Sequence, residues 1–182
     1  MSHQFKTVKS SKVVISELML PSHTNFSGKI HGGYILSLLD QIAFACASKF
    51  SGHYCVTASV DTVDFLAPIE VGELVTMRAS VNYTGNTSMI IGIRVEAENI
   101  QTGKIKHCNS SYFTMVAKDE IGNNVPVPGL ILSTDDDIRR FYNCIKMISN
   151  KKEKQNHEMT FDYKSEDALS HLTNFNVQLE IL

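Results

Sequence analysis

The stretch His31-Gly32-Gly33-Tyr34-Ile35-Leu36-Ser37-Leu38-Leu39-Asp40-Gln41-Ile42-Ala43-Phe44-Ala45-Cys46-Ala47-Ser48 governs how the rest of the chain is understood. From Gly33 to Ala47 it is apolar, free of proline and rich in Ala, Leu and Ile. That is long enough for a helix of about four turns. Its polar residues, Ser37, Asp40, Gln41 and Ser48, stay close to one stripe. A helix that is apolar nearly all round must be buried on most sides. The simplest cover is a curved antiparallel sheet wrapped round it.

Strand signals flank the helix. Val13 to Met19 is rich in β-branched residues and reads as a strand. A polar loop runs from Pro21 to His31. After the helix come Cys55 to Phe65, Leu74 to Tyr83, Ser88 to Ile100 and Lys106 to Val116. Val75, Met77, Ala79, Val81 and Tyr83 alternate with Thr76, Arg78, Ser80 and Asn82. Met89, Ile91, Ile93, Val95 and Ala97 repeat the pattern, so each strand has one buried and one wet face. Turn residues separate the strands at Pro68–Gly72, Thr84–Thr87 and Gln101–Lys104. The expected class is α+β: one strand, one long helix, then four consecutive antiparallel strands.

The chain has 182 residues, enough for a domain of about 130 with an appendage. Pro126-Val127-Pro128-Gly129 marks the boundary, giving a domain at 1–130 and an extension at 131–182. The extension opens on Ser133 and Asp135, Asp136 and Asp137, a helix start. An amphipathic helix is expected over 134–149, with Ile138, Phe141, Tyr142, Ile145 and Ile148 on one face. A polar linker at 151–157 and a possible final strand near Phe175 to Ile181 complete it. Lys plus Arg number 17 and Asp plus Glu 19, a balance that argues against a nucleic-acid partner. No run of eighteen apolar residues occurs, so no membrane span is expected. The N-terminus has no apolar core of the kind a secretory signal needs. Cys46, Cys55, Cys108 and Cys144 form no Cys-x-x-Cys pair and read as free thiols in a reducing cytoplasm.

Asp40 is the residue with chemistry to explain, because an unpaired carboxylate is costly to bury. The ordinary explanation is a solvent-facing acid. The residues upstream shift the balance. Gly32 and Gly33 stand at the helix start, where glycine admits a ligand close to the backbone. First-turn N–H groups lack intrahelical partners and can donate to a carbonyl or oxyanion. Asn25 adds an amide in the preceding loop. Asp40 lies seven residues beyond Gly33, about 10 Å along the axis at 1.5 Å per residue. Both cannot touch one reacting carbon within one subunit, so a common substrate requires an oligomer with a shared site.

These residues carry a resemblance. The stretch Asn25-Phe26-Ser27-Gly28-Lys29-Ile30-His31-Gly32-Gly33, then Ile35 to Asp40, resembles the hot-dog-fold acyl-CoA thioesterases of the cytosolic acyl-CoA hydrolase and YciA type. The likeness continues through Val60-Asp61, Phe65-Leu66-Ala67-Pro68-Ile69, Val71-Gly72-Glu73 and Gly85-Asn86-Thr87-Ser88-Met89, covering residues 12 to 130. It implies a hot-dog fold and hydrolysis of acyl-CoA to free acid and CoA, in a cytoplasmic protein. It implies that Asp40 is the catalytic carboxylate, that Asn25 assists from the partner subunit, and that the N–H of Gly32 or Gly33 polarises the thioester carbonyl. Asn86, Thr87 and Ser88 lie where relatives contact CoA. A homodimer would be the smallest active unit, within a trimer of dimers. No cofactor is implied, since CoA belongs to the substrate. His31 departs from the family, where many relatives carry phenylalanine.

The leaving thiol has a pKa of roughly 8.5 by analogy with cysteine, so departure needs little acid help. Asp40 could activate water or attack directly to give an anhydride. Asp61 and Asp64 read as edge or tunnel-lining residues, and His31 as loop packing. His23 and His31 lack a third ligand, so no metal is expected. Lys29, Arg78, Lys104 and Lys106 read as surface charges. No Ser-x-Gly nucleophile elbow occurs. Two other functions fit the pattern: a hot-dog acyl-CoA hydratase or dehydratase, and a non-catalytic acyl-CoA-binding regulator. The pairing of Asn25 with Asp40, in place of a His beside the acid, argues against the first, and the intact Asn25, Gly33 and Asp40 against the second.

Overall fold

A computed structural model describes residues 4–61, 63–160, 162, 164–172, 175, 177 and 178, without the side chains of 157–160 and 168. The chain divides into two compact units, Met1–Cys144 and Ile145–Leu182.

The first unit is built on α2 (Gly32–Ser51) and a five-stranded antiparallel sheet, the hot-dog arrangement. The helix starts at a cap made by His31 and stops at Gly52, whose φ of 79° is left-handed and whose N–H bonds the Ser48 carbonyl at 2.8 Å. It runs one turn beyond the expected Gly33–Ala47, because Phe50 is also buried in the core. Ile35, Leu38, Leu39, Ile42, Ala43 and Cys46 form its buried face. Each large side chain there contributes about 1.5–3 kcal/mol by burial. The sheet curls round the buried face of the helix, as expected, and leaves the other flank uncovered. Leu36, Ser37, Asp40, Gln41 and Phe44 stay exposed along its other flank.

The strands are β2 (Val13–Leu18), β3 (Tyr54–Val60), β4 (Glu73–Thr84), β5 (Ser88–Asn99) and β6 (Lys104–Lys118). Their spatial order is β2-β4-β5-β6-β3. The four strands after the helix are therefore not neighbours in sequence order: β3 pairs β6 at the far edge, not β4. β3 is also shorter than the expected Cys55–Phe65. The strand ends at Val60; the Asp61 N–H still bonds the Tyr112 carbonyl at 3.0 Å, and the next bond to β6 comes only at Leu66, to the Cys108 carbonyl. Val75, Met77, Ala79 and Val81 of β4 face α2, as do Met89, Ile91, Ile93 and Val95 of β5. Arg78, Arg94 and Ser110 form one cross-strand row on the opposite face, and Ser80, Gly92 and Tyr112 the next.

A small second ladder was not expected. β1 (Phe5–Thr7) pairs in parallel with β7 (Gly129–Ile131), inside the segment read as a boundary. A Cβ on Gly129 would lie 2.4 Å from the Phe5 ring, so any other residue would push that ring aside. A single turn, α1 (Val8–Ser11), then docks on the core through Ser11, whose hydroxyl accepts from the Val81 N–H at 2.9 Å.

α3 (Asp135–Thr160) is longer than the expected 134–149. Residues 151–157 continue the helix instead of forming a linker, since Lys, Glu and Gln are good helix formers. Asp137 accepts from the N–H groups of Ser133 and Thr134, and Thr134 caps Asp137 in return. Phe141 packs on Tyr83 with ring centroids 5.1 Å apart, and Cys144 is fully buried. In the second unit α4 (Glu166–His171) follows, and His171 meets Phe175 edge-on at 5.3 Å. The possible final strand falls mostly outside the described residues. Among the described residues no helix is long and apolar enough to cross a membrane.

Candidate active site

The loop between β2 and α2 is fixed by its own polar groups. Asn25 Oδ1 accepts from the Ser27 N–H at 2.9 Å, the Ser27 hydroxyl at 2.7 Å and the Lys29 N–H at 3.2 Å. The amide is thereby oriented, and its Nδ2 donates to no described group. Gly28 turns the chain with a φ of 78°, a left-handed value that favours glycine. A bridge between Thr24 and Ile30 closes the loop. The His23 ring stacks on Tyr34 at 4.0 Å, and Tyr34 donates a short hydrogen bond to Glu17 of β2.

His31 is not loop packing: it is the N-cap of α2. Its Nδ1 accepts from the Gly33 N–H at 2.9 Å. A Cβ at Gly33 would meet the His31 ring at 2.8 Å, which explains the second glycine. The Gly33 N–H is thus occupied. The Gly32 N–H makes no hydrogen bond among the described residues, as the first donor of a helix should. Asn25 and Gly32 line one cavity of about 430 Å³ with Lys29, Phe65, Leu66 and Pro68. Phe65 stands over Gly32, 3.5 Å from where a Cβ would be.

Asp40 lies elsewhere. It borders an open cavity of about 700 Å³ with Gln41, Phe44, Tyr54, Thr57 and Met115. Its Oδ1 accepts a 2.6 Å hydrogen bond from the Thr57 hydroxyl. Thr57 sits where β3 bulges between Thr57 and Ser59, and a bulge re-aims the side chain beside it. The carboxylate is therefore held by one oxygen and open at the other. Neither described cavity contains both Asn25 and Asp40. Within one chain the three residue types are not brought together.

The Asn86-Thr87-Ser88 turn joins β4 to β5. The Asn86 carbonyl accepts from Val127 at 2.9 Å and the Thr87 carbonyl from Ala117 at 3.0 Å. The turn is anchored, and it borders neither the Asn25 nor the Asp40 cavity. The basic residues weighed from sequence are mostly paired: Lys29 with Glu70 at 2.6 Å, Lys106 with Glu73 at 2.8 Å and Arg78 with Glu96 at 3.6 Å. Burial pushes the Cys46 and Cys144 thiols up to about 12 and raises Cys108, so none of these three offers a thiolate nucleophile near neutral pH.

Thr57 was missed in the sequence, where it looks like any β-branched strand residue. Its hydroxyl fixes one oxygen of Asp40, so with Asp40 as the catalytic carboxylate that the resemblance implies, Thr57 would position it. Thr57→Val keeps the shape and removes the donor, and hydrogen bonds to charged groups are worth about 1.5–3 kcal/mol. The expected result is a kcat lower by roughly tenfold to a hundredfold with KM little changed, and recovery in Thr57→Ser. Steady-state kinetics with an acyl-CoA checks this; an equal loss in Thr57→Ser would assign Thr57 to packing alone.

Residues 27–104 match the family model described as the thioesterase superfamily. The chain is 44% identical over 140 residues to protein VdlD of Helicobacter pylori, covering 77% of this chain and 80% of that one. It superimposes on an apo-hexameric acyl-CoA thioesterase with a TM-score of 0.81 at 36% identity, covering 84% of this chain and 97% of the other. It also matches the acyl-CoA hydrolase of Staphylococcus aureus in complex with butyryl coenzyme A and coenzyme A, with a TM-score of 0.78 at 27% identity, covering 93% and 99%. Variants of that hydrolase with an Asp, an Asn or a Thr replaced by Ala match as well.

Proposed function

The chain belongs to the thioesterase superfamily and hydrolyses acyl-CoA thioesters, and on that premise we propose that one site, shared between two chains, carries the reaction. The observation behind this is the split within one chain. Asn25 and the open Gly32 N–H border one cavity, while the Thr57-held Asp40 borders another. Opposing two chains would bring Asn25 and Gly32 of one to Asp40 of the other.

In this arrangement Asp40 Oδ2 takes a proton from water, and the resulting hydroxide attacks the thioester carbonyl carbon. The Gly32 N–H donates to the oxyanion that forms, and loss of such a donor typically costs about 10²–10³ in rate. Asn25 Nδ2, left free by the loop, orients the water or the carbonyl. The tetrahedral intermediate collapses with cleavage of the C–S bond. The CoA thiolate leaves and takes up the proton. Gly33 is assigned a structural part, as the donor to His31. Asn86, Thr87 and Ser88 are assigned to the CoA moiety. The chemistry calls for no cofactor.

The exposed flank of α2 and the open edge of β3 give a homodimer its surface. Phe44 and Tyr54 lie there in edge-on contact at 5.5 Å. We place the dimer as the smallest active unit, three dimers forming a hexamer, in the cytoplasm where acyl-CoA is met. Release of free thiol from acyl-CoAs of graded chain length tests the function. Hydrolysis of at least one supports it. Binding of all without release would favour the regulator.

A further inference from the structure

The face of the sheet turned away from α2 holds another cavity, of about 200 Å³, between β4–β6 and the first turns of α3. Its polar lining is Asn82, Arg94, Ser110, Tyr112, Arg139 and Arg140. Every one of these side chains can present a hydrogen-bond donor, and three are guanidiniums. Among the described residues no carboxylate lines the cavity.

Gly92 forms the floor. A Cβ there would lie 2.0 Å from Asn82 Nδ2, so the Asn82 amide occupies the space a side chain would take. Asn82 is 3% exposed, and its Oδ1 accepts from the Ser80 hydroxyl at 3.0 Å. Its Nδ2 borders the cavity and donates to no described group. A donor held at the cavity wall with no partner in the chain is available to an acceptor bound there. Burial raises the Tyr112 phenol, against the opposing charges of Arg140 and Arg139, so its hydroxyl keeps its proton.

The charge count has the same sign. Arg78 and Arg94 share Glu96, and Arg139 and Arg140 share Asp136, which sets four guanidiniums against two carboxylates. Arg94 spends its Nε on Glu96, at 2.9 Å, and keeps both Nη groups. Arg140 spends Nε on Asp136, at 2.8 Å, and reaches the Ser80 hydroxyl with Nη1 at 3.5 Å. The remaining acid of this turn that makes hydrogen bonds, Asp137, is turned back onto the N–H groups of Ser133 and Thr134.

We propose that this cavity binds a phosphoryl group. Donors converge from the sheet, from the floor and from α3, which suits a tetrahedral oxyanion better than a planar carboxylate held by a single fork. The site lies on the face opposite the helix that carries Asp40, and it stands apart from the assignment of the hydrolytic residues.

Calorimetric titration of the full chain with inorganic phosphate and with pyrophosphate tests this. Binding is expected, weakened roughly tenfold or more in Arg94→Gln and in Arg139→Gln. It should tighten in Asp136→Asn, which releases two guanidiniums, so that loss of fold cannot imitate the full pattern. The kcat of Arg94→Gln at saturating acyl-CoA, without added phosphate, should match the parent, because the site lies on the face opposite Asp40. Absence of binding at millimolar phosphate and pyrophosphate overturns the proposal, as does equal affinity across the variants or equal binding of acetate. Competition identifies the source of the group. Displacement of pyrophosphate by CoA but not by dephospho-CoA supports the site and assigns it to the substrate's own 3′-phosphate. Retention of pyrophosphate under saturating CoA supports it as a site for a separate phosphate ligand.

Discussion

Asp40→Asn is expected to lower kcat for acyl-CoA hydrolysis by about 10²–10⁴-fold, the usual contribution of a positioned general base. The substitution preserves shape and the acceptor oxygen that the Thr57 hydroxyl bonds. It removes only the basicity of the oxygen facing the cavity. Asp40 is exposed in the single chain and packs into no core, so the melting temperature should move little. The measurement is turnover against binding: kcat should collapse while CoA affinity, read by calorimetry, stays near that of the parent. Turnover within a few-fold of the parent would remove Asp40 from the reaction. A parallel loss of CoA binding would make it a binding residue instead.

The second large effect is a gain. Asp40→Ala and Asn25→Ala proteins should each be nearly inactive alone. Unfolded together and refolded as a mixture, they should recover about a quarter of parental activity. Random pairing makes half of the dimers mixed, and each mixed dimer holds one intact site and one doubly altered site. That recovery can occur only if Asn25 and Asp40 of different chains meet. If each chain contained a whole site, the mixture would stay at the average of its two inactive parents. The test needs no structure of the complex, and it separates a shared site from mere dependence on assembly.

Much of this could be read along the chain. The helix was visible because a proline-free apolar run of its length has few other uses. β4 and β5 were visible because alternation marks one buried face, and their observed bounds lie within one or two residues of the expected ones. What pairing partner β3 takes was not visible, since alternation says which face is buried and nothing about which neighbour is bonded. The length of α3 was misjudged because residues 151–157 are polar all round, and polarity alone does not distinguish a linker from a solvated helix.

At the site the acid and the amide drew attention by residue type and position, and the proposal of a second chain came from the rise of a helix. The supporting contacts did not. His31 is an unusual N-cap, since Ser, Thr, Asp and Asn dominate that position. Its use of the Gly33 N–H narrows the open donor to Gly32. Thr57 acquires its part only through a bulge, and bulges have no reliable sequence mark. The arginines of the outer cavity lie on β5 and α3, far apart in sequence, and meet only because Phe141 of α3 packs on Tyr83 of β4.

The β1–β7 ladder bears on the order in which the molecule can be made. Phe5 pairs with Gly129, so a strand made before the whole of the larger sheet has its partner among residues made after it. Every strand of the larger sheet and all of α2 are synthesised in between. Closing so long a loop carries an entropic cost that the short ladder can offset only once the rest is in place. During translation β1 must therefore wait, unpaired, while the five-stranded sheet assembles beside it. The Phe5 ring settling over Gly129 would mark the completion of the nascent domain.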